Sequence, residues 1–535
     1  MSYKVEKLCV MLDCSRNAVM KVDKVKEFIL TVKQFGYNAV MLYLEDTFEV
    51  TDEPLFGYMR GGYKKSELKE LSAFAFDNGV ELIPCIQTLA HLNTIFRHGE
   101  YAAINDVADV LLVGNSRTEK LIENIFKTVK ECFISKTVNV GLDEAHLLGR
   151  GKYLDINGYK DRFDIFCDHL ETVVSIAEKN GLTPIMWSDT FFERSPFGTP
   201  YQNLTVPEKA ARRVPKSAQL VCWDYYHTDK DFYDKVLAAH KQFNNKIWYA
   251  CSAYTSRSFA PNNAYSMRAI EPAMKSCIEN GINNIIVTMW GGNGAECSLF
   301  AVLPSLYFTA ECLRGNFDKE KIAKNFKMIT GEDFDSLCAL DLVNDVGVKS
   351  QNYGPAKYMF FSDLFTALFD STINPSDKSK YTQYKKTLKR FAKESKYSYL
   401  FNTQIDLCSV LELKYDLGVR IYNAYGNKNV EELKLINRDL AKLLIRIKNF
   451  YNTFKVQWFI DNKPHGFDVQ DIRIGGLIKR IESCKQRLVD YIDGKIQVIE
   501  ELEEVRLDIL SGKKEVSKQM TVLNDWAKTV TANIL

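Results

Sequence analysis

Short apolar runs and amphipathic stretches alternate regularly along the first 315 residues. Apolar runs bounded by polar turns predict buried strands, whereas apolar residues that recur every three to four positions predict helices. The predicted strands are Leu8–Leu12, Ala39–Leu44, Glu81–Ile86, Thr137–Gly141, Thr183–Trp187, Gln219–Trp223, Lys246–Cys251 and Asn284–Met289. The helices predicted between them are Val22–Phe35, Lys65–Asn78, Glu119–Ile134, Phe163–Asn180, Lys230–Phe243 and Met267–Asn280.

Glycine marks the ends of several of these predicted helices. Gly36, Gly79, Gly181 and Gly281 each follow such a stretch, and a glycine there adopts the left-handed conformation that ends a helix. Eight strand–helix units of this kind predict an α/β fold, and a (β/α)8 TIM barrel accommodates all eight. A doubly wound open sheet fits the same alternation.

Polar and aromatic side chains follow almost every predicted strand. A closed ring of strands brings residues from so many strand ends together, which an open sheet does not do. The pattern therefore predicts a TIM-barrel domain over residues 1–315. The strand-end residues are Asp13, Arg16, Glu45, Asp46, Gln87, His91, Asp143, Glu144, Trp187, Asp189, Trp223, Asp224, Tyr225, Tyr254, Trp290 and Glu296.

Beyond residue 316 the strand pattern disappears and long charged amphipathic stretches take over. Their apolar residues recur at helical spacing, which predicts an all-α C-terminal domain over residues 316–535. The segment Trp458–Phe467 interrupts this pattern with aromatic residues, Pro464 and Gly466. It is predicted to be a structured loop, with two roles open: a connection between helices or a cap over an active site. The predicted helices are Tyr381–Lys396, Ile405–Tyr425, Val430–Thr453 and Ile474–Val505.

Charge and composition exclude several classes of protein. The 70 Lys and Arg against 68 Asp and Glu leave a net charge of +2, so no global field favours nucleic acid or an anionic membrane. No apolar signal segment or membrane-length run is apparent. The 13 Cys are scattered without a CxxC pair, which indicates reduced thiols in a cytoplasmic protein. No metal-ligand spacing and no phosphate loop after the first strand are found, so no metal or cofactor is expected.

Two adjacent carboxylates, Asp143 and Glu144, end the fourth predicted strand. In a shielded site such a pair repels when both members are ionised, which yields one acid and one anion. The alternative is a solvated loop or a helix N-cap.

Trp187, Trp223 and Trp290 each close a strand, and indole faces pack well against sugar rings. Their alternative role is structural burial.

The run Asn139-Val140-Gly141-Leu142-Asp143-Glu144 resembles the His/Asn-x-Gly-x-Asp-Glu signature of glycoside hydrolase family 20, the β-N-acetylhexosaminidases. Asp13-Cys14-Ser15-Arg16 after the first strand and Gln87-Thr88-Leu89-Ala90-His91 after the third are similar to the family pattern. The early barrel and the long helical tail resemble a compact branch of the family, which implies a homodimer.

The resemblance implies a role for each carboxylate. Glu144 corresponds to the general acid that protonates the glycosidic oxygen and then, as base, activates water. Asp143 corresponds to the carboxylate that orients the 2-acetamido nitrogen and stabilises its developing positive charge. The acetamido oxygen then attacks C1, so this family is an exception to the scheme with two catalytic carboxylates.

The resemblance also implies substrate contacts. Arg16 corresponds to an arginine that binds the O3 and O4 hydroxyls of the terminal sugar. His91 is similar to a family histidine near the acid, with a packed loop histidine as the alternative. The residues implied as walls of the acetamido pocket are Trp187, Trp223 and Trp290.

Two positions stay open within the resemblance. A family tyrosine donates its hydroxyl to the acetamido oxygen, and Tyr225 is the first choice here, with Tyr254 as the second. An acidic residue for O4 and O6 follows Trp290 at an unusual spacing, so Glu296 and Asp224 are both candidates. That departure leaves the choice between gluco and galacto substrates open.

The sequence therefore predicts an exo-acting, retaining β-N-acetylhexosaminidase without metal or cofactor. Its substrate would be an oligosaccharide or glycoconjugate with terminal N-acetylglucosamine (GlcNAc), with N-acetylgalactosamine (GalNAc) left open. The alternatives are a barrel glycosidase with a carboxylate nucleophile and a non-catalytic glycan-binding barrel.

Overall fold

The computed structural model describes residues 3–192, 201–206, 208–346, 354–508 and 525–535. Eight parallel strands close into a barrel in the order β1-β10-β9-β8-β7-β6-β3-β2, which confirms the predicted TIM barrel. All residues of β2 and β10 are buried, because helices cover the outside of a parallel barrel. An antiparallel hairpin, β4 and β5, lies between β3 and β6 in the chain. The strands are β1 (Lys7–Asp13), β2 (Ala39–Tyr43), β3 (Glu81–Cys85), β4 (Asn105–Val107), β5 (Val110–Leu111), β6 (Thr137–Asn139), β7 (Thr183–Trp187), β8 (Gln219–Trp223), β9 (Ile247–Ser252) and β10 (Asn284–Met289).

The helices between the strands begin and end close to their predicted limits. The predicted glycine stops are confirmed, since Gly36, Gly79, Gly181 and Gly281 have φ values of 98°, 71°, 72° and 69°. These helices are α1 (Val22–Phe35), α2 (Lys65–Asp77), α3 (Ser116–Cys132), α4 (Lys152–Asn157), α5 (Arg162–Lys179), α6 (Glu208–Arg213), α7 (Lys230–Lys241), α8 (Asn263–Asn280) and α9 (Leu303–Leu313).

Further helices follow, and no helix within the described ranges is both long and apolar enough to cross a membrane. They are α10 (Lys319–Thr330), α11 (Phe334–Cys338), α12 (Pro355–Phe361), α13 (Lys378–Ala392), α14 (Ser398–Lys414), α15 (Leu417–Gly426), α16 (Val430–Asp461), α17 (Phe467–Ile492), α18 (Glu500–Glu503) and α19 (Trp526–Val530).

The chain forms two compact units. The barrel unit comprises residues 1–253, 266–290 and 305–322, and the helical unit comprises residues 254–265, 291–304 and 323–535. The segments that follow β9 and β10 therefore belong to the helical unit. A single boundary at residue 316 does not describe this division, and that boundary stays a prediction.

Three details of the C-terminal prediction are wrong. The stretch predicted as one helix, Ile405–Tyr425, is divided between α14 and α15, and α17 ends at Ile492. The predicted loop at Trp458–Phe467 is too long, because α16 continues to Asp461 and α17 begins at Phe467, so residues 462–466 form the connection between these helices. Trp458 is buried, and its indole N–H donates to the Lys463 carbonyl at 3.1 Å. Aromatic residues there fill the interior of the helical unit.

A buried ion cluster holds the segment 291–304 within the helical unit. Glu296 Oε1 lies 2.7 Å from Lys357 Nζ and 3.2 Å from Arg473 Nη1. Lys357 also donates to the Asn293 carbonyl at 2.6 Å, and Gln470 donates to the Gly294 carbonyl at 3.0 Å. Both the lysine and the glutamate are almost completely excluded from solvent. Helices α12 and α17 thus bind this short segment through charge as well as hydrogen bonds.

Candidate active site

Hydrogen bonds and ion pairs connect the polar residues at the carboxyl ends of β1, β2, β3 and β6. Asp143 is the centre: its Oδ1 accepts the Gln87 amide N–H at 2.8 Å, and its Oδ2 lies 3.2 Å from His91 Nε2. Gln87 also donates to the Tyr43 hydroxyl at 3.1 Å. Asp143 is buried, so its carboxylate is held in one orientation by two side chains from the loop after β3.

The environment of Asp143 favours its anionic form. Burial by itself raises the pKa of Asp143, but the charge of His91 and the hydrogen bonds from His91 and Gln87 outweigh it and lower the pKa below its ordinary value. Burial lowers the pKa of His91, but the charge and hydrogen bond of Asp143 outweigh that effect and raise it from 6.5 to about 9. At neutral pH the two residues are an imidazolium and a carboxylate.

Glu144 occupies a different environment from its neighbour. Its side chain is 37% exposed, and its Oε2 lies 3.6 Å from His91 Nε2. It borders an open cleft of about 650 Å³, of which Asp143 is not a lining residue. One carboxylate is therefore fixed inside the barrel mouth, and the other reaches the cleft. The lining residues are Glu144, Ala145, His146, Arg162, Asp189, Thr190 and Phe192.

The backbone after β6 directs the two carboxylates. The strand ends at Asn139, and Gly141, Leu142 and Glu144 then adopt φ values of 74°, 71° and 55°. Left-handed backbone is unfavourable for Leu and Glu, and such conformations concentrate at functional sites. A Cβ on Gly141 would lie 2.0 Å from Gln87 Oε1. Only glycine therefore fits beside the amide that binds Asp143.

Arg16 is joined to the same network through Glu45. Arg16 Nη2 lies 3.0 Å from Glu45 Oε1, which also accepts the Tyr43 hydroxyl at 3.0 Å. Burial raises the pKa of Glu45, and the charge of Arg16 partly opposes this. The charge of Glu45 in turn raises the pKa of Arg16. The Arg16 side chain keeps 35% of its surface exposed, so its guanidinium remains accessible to a ligand.

Arg60 holds the loop that carries Arg16, and the sequence analysis did not identify it. Arg60 Nη2 donates to the Ser15 carbonyl at 2.5 Å and lies 3.1 Å from Asp46 Oδ1, while Nη1 donates to Asn17 Oδ1 at 3.3 Å. It therefore binds the residues on both sides of Arg16. Arg60 lies in the middle of the β2–α2 connection, where no strand-end pattern marks it.

Three aromatic rings from different strand ends are in contact. Trp290 packs edge-on against Tyr43, with centroids 4.8 Å apart, and lies 6.0 Å from Trp187. The Tyr225 hydroxyl lies beside Trp290, close enough to Asp143 for their charges to interact. Burial raises the pKa of Tyr225 well above its ordinary value, so this hydroxyl is a donor. Trp223 stacks on Tyr225 at 4.9 Å.

The remaining predicted site residues have other partners. The Asp224 side chain is fully buried and accepts hydrogen bonds from the backbone N–H and the ring of His227. It holds the turn after β8, and the sugar contact considered for it stays a prediction. Tyr254 and Glu296 belong to the helical unit; Tyr254 packs edge-on against Tyr265 at 5.0 Å, and Glu296 is in the buried ion cluster.

Tyr43 and Gln87 also have roles that the sequence analysis did not assign. Tyr43 is the last residue of an apolar strand and resembles a core residue, whereas Gln87 lies in a recognised motif whose contact with Asp143 only the fold reveals. Across the described ranges, no group of three or more His, Cys, Asp and Glu side chains is arranged to hold a metal ion.

Models of one enzyme family match both parts of the chain. The model of the glycosyl hydrolase family 20 catalytic domain matches residues 9–233, and that of the glycoside hydrolase 20C C-terminal domain matches residues 332–522. The first covers the loops that carry Arg16, His91, Asp143 and Glu144. The second covers most of the helical region.

The chain also resembles named relatives and solved structures at low sequence identity. Hexosaminidase D of Homo sapiens is 23% identical over 336 residues, covering 58% of this chain and 66% of the relative. Hexosaminidase D of Bos taurus is 27% identical over 241 residues, covering 42% and 65%. The chain thus spans slightly less than two thirds of these relatives. A GH20 exo-β-N-acetylglucosaminidase from Vibrio harveyi, solved with N-acetylglucosamine, is 14% identical with a TM-score of 0.47, covering 62% of this chain and 59% of that one. With both of its parts matched by models of one family, the chain belongs to glycoside hydrolase family 20.

Proposed function

We propose that this chain is an exo-acting, retaining β-N-acetylhexosaminidase that removes terminal β-linked GlcNAc by substrate-assisted catalysis. The observation that carries the proposal is the unequal pair at the end of β6. Asp143 is buried and kept anionic by His91 and Gln87, while Glu144 is half-exposed at the edge of a cleft. The names of the hexosaminidase D relatives support an acetamido sugar as substrate.

In the first step, Asp143 accepts a hydrogen bond from the 2-acetamido N–H of the substrate. The acetamido oxygen attacks C1, and Glu144 donates its proton to the glycosidic oxygen, so that the leaving group departs as an alcohol. The intermediate is an oxazolinium ion, whose positive charge the Asp143 carboxylate stabilises. No carboxylate of the protein forms a covalent bond to the sugar.

In the second step, the Glu144 carboxylate takes a proton from a water molecule that attacks C1. The C1–oxygen bond of the oxazolinium ion breaks, the acetamido group is restored, and GlcNAc leaves with retained configuration. Asp143 has to be anionic through both steps, since a neutral carboxyl group would not stabilise a cation. The ion pair with His91 supplies that condition.

The surrounding side chains are expected to position the substrate. The Tyr225 hydroxyl is a donor near Asp143, and we assign it to the acetamido oxygen. Arg16, oriented by Glu45, would bind sugar hydroxyls through its fork of donors. Trp187 and Trp290 would pack against the acetamido methyl and the sugar ring. The choice between GlcNAc and GalNAc stays open, because the acid that contacts O4 is unassigned.

Hydrolysis of aryl β-GlcNAc, β-GalNAc and β-glucoside, with and without a thiazoline mimic of the oxazolinium ion, tests the proposal. We expect cleavage of acetamido sugars alone and inhibition by the thiazoline. E144Q should lower kcat about 10²–10⁴-fold for a general acid, and D143N should weaken thiazoline binding. E123Q, at an exposed glutamate on α3, is the matched control. Equal cleavage of the glucoside would indicate a carboxylate nucleophile, and full activity of E144Q would overturn the mechanism.

A second pair of variants distinguishes the two candidate tyrosines. Y225F removes the donor assigned to the acetamido oxygen and should lower kcat/KM about 10–100-fold, as expected for a hydrogen bond to a charged transition state of about 1.5–3 kcal/mol. Y254F should leave kcat/KM within about twofold by the same reasoning. The reverse ranking would transfer the role to Tyr254.

A homodimer remains a proposal that comes from the family resemblance, and a cytoplasmic location remains a proposal that comes from the scattered cysteines. Size-exclusion chromatography with light scattering at micromolar concentration tests the dimer. A monomer mass would contradict it.

A further inference from the structure

We infer that the enzyme prefers substrates in which the leaving group carries an anion, such as a carboxylate or a sulfate ester, and that Arg162 recognises this anion. The inference rests on the proposed function and specifies its substrate class. It comes from the cleft beside Glu144 and from the charges of the residues that line it.

The position of the cleft identifies it as the leaving-group side. Glu144 lines it, whereas Asp143, Trp187 and Trp290 do not. The proposed function assigns those three residues to the terminal sugar, so the cleft that excludes them is assigned to the leaving group. The glycosidic oxygen has to lie next to Glu144 during proton transfer, so the group beyond that oxygen extends into the cleft. The cleft is open to solvent, so a sugar ring or an aryl group can enter it.

Arg162 is the arginine that lines the cleft. Its Nη1 donates to the His146 carbonyl at 3.3 Å, and among the described residues no carboxylate pairs with it. This distinguishes it from Arg60, Arg117 and Arg213, each of which is paired with a carboxylate. The guanidinium is exposed and therefore free to bind an anion from solution.

The nearby acidic groups are already engaged. Asp161 uses its Oδ1 to cap α5 through the Phe163 N–H at 3.0 Å. Asp164 Oδ1 lies 2.6 Å from Lys209 Nζ. Asp189, which lines the cleft, is buried and accepts the Trp223 indole N–H at 3.0 Å. None of them neutralises Arg162.

Arg162 is the first residue of α5, whose N-terminus is already capped by the Asp161 side chain and has Asp164 in its first turn. The Arg162 guanidinium is therefore the group that would meet an anionic leaving group. Because the site is exposed, the attraction should weaken at high ionic strength.

Two aryl β-GlcNAc substrates measure this preference in the full-length chain. One carries a 4-carboxylate and the other an uncharged 4-carboxamide, and a 4-sulfonate and 4-sulfonamide pair tests whether the anion type matters. The measured quantity is the charged-to-neutral ratio, that is, kcat/KM for the charged substrate divided by kcat/KM for the neutral one. Comparing this ratio between variants cancels the intrinsic difference in leaving-group reactivity.

We expect R162Q to lower the charged-to-neutral ratio about 2–5-fold at low salt, an effect of the size typical of exposed charge pairs. The ratio of the unmodified enzyme should fall toward that of R162Q at about 0.5 M salt. R150Q is the matched control, because Arg150 is an exposed arginine stacked on Tyr159 and does not line the cleft.

Hydrolysis of the neutral carboxamide substrate should be unchanged in R162Q, which also shows that the variant is folded. An unchanged ratio in R162Q, or an equal fall in R150Q, would overturn the role of Arg162 while leaving the proposed function intact. Absence of hydrolysis of both neutral and charged substrates would instead refute the proposed function, and this inference with it.

Discussion

The ion pair between His91 and Asp143 is the chemical centre of the site. The imidazolium keeps the carboxylate ionised in a buried position, and its 3.6 Å distance to Glu144 Oε2 places one positive charge between two acids. Neutralising His91 would leave two carboxylates to repel each other in a partly shielded site. The net charge of the site therefore depends on whether His91 is protonated, and so on the pH.

The pH dependence of stability follows from the raised pKa of His91. Because this pKa is about 9 in the folded chain against an ordinary 6.5, protonated His91 stabilises the folded state. This stabilisation is complete below about pH 6.5 and is lost as the pH rises through about 9, with a size of roughly 3 kcal/mol. The stability difference between the unmodified chain and H91N, from urea unfolding, should shrink between pH 6 and pH 9.

His98 provides the control for this experiment. It lies in the same β3–α3 connection, packs on Tyr58, and has no carboxylate contact in the described part of the chain. H98N leaves the pair of His91 and Asp143 intact, so its stability difference from the unmodified chain should change less with pH than that of H91N. A constant difference for H91N would show that His91 is not protonated in the folded state.

The residues of the site differ in how far the sequence indicates them. Asp143, Glu144, Arg16 and His91 follow strands directly, so the barrel topology alone brings them to one end. Arg60 lies within the long β2–α2 connection and contacts backbone atoms. The pattern of side chains in the sequence does not predict such contacts. Contacts of that kind depend on the path of a loop, and no periodicity encodes that path.

Two elements, the turn after β6 and the β2–α2 connection, position the site residues at the end of the barrel. The turn reverses from strand to left-handed backbone within three residues of Asn139. The connection folds back over Asp46, so closely that a Cβ on Gly57 would lie 1.9 Å from the Asp46 carbonyl oxygen. Both elements depend on glycine at positions of close approach.

G141A should disrupt the turn after β6. Alanine at φ 74° is unfavourable by about 1–2 kcal/mol, and its Cβ would also meet the Ile86 carbonyl at 2.9 Å and Gln87 Oε1 at 2.0 Å. We expect a loss of stability above about 3 kcal/mol and a fall in kcat of at least about 100-fold. G79A is the control, since Gly79 has φ 71° with no atom within 4 Å of the added Cβ. It should lose about 1 kcal/mol and keep full activity.

R60M should release the loop that carries Arg16. With Ser15, Asn17 and Asp46 no longer bound to one guanidinium, Arg16 loses orientation toward the sugar. We expect KM for aryl β-GlcNAc to rise about tenfold, about 1.4 kcal/mol of binding, with a smaller change in kcat. R60K should recover part of the effect, and R97M, at an exposed arginine, should have none. A fall in kcat with constant KM would contradict this positioning role.

The sequence predicts the strands and helices of the barrel more accurately than the connection between α16 and α17. All eight barrel strands and the helices between them appear at the predicted places, because a buried strand and an amphipathic helix have distinct periods. The connection after Trp458 was misplaced. Aromatic residues that fill the interior of the helical unit resemble a loop cluster when only their sequence is considered, and the true break depends on Pro464 and Gly466.

Over the whole molecule, the cluster of Glu296, Lys357 and Arg473 is a charged contact buried inside the helical unit. K357M would leave Glu296 buried with one cation in place of two. Breaking a buried ion pair typically costs about 3–5 kcal/mol, so the midpoint of thermal unfolding should fall by several degrees.

K479M is the control for this prediction. Lys479 is also on a helix of that unit, but its side chain is 78% exposed and lies 3.4 Å from Glu482. Its removal should leave the unfolding midpoint within about 1 °C, as for most exposed substitutions. Equal effects of the two substitutions would mean that the buried cluster contributes no more than a surface pair.

Assignment of residues 291–304 to the helical unit has a consequence for synthesis on the ribosome. All eight barrel strands have been made once residue 289 emerges, but Asn293, Gly294 and Glu296 acquire their partners Lys357, Gln470 and Arg473 only about 60 to 180 residues later. The nascent chain therefore carries a complete set of strands with an unfinished last loop. We expect residues 291–304 to reach their native conformation late in translation, after the helices that bind them have been made.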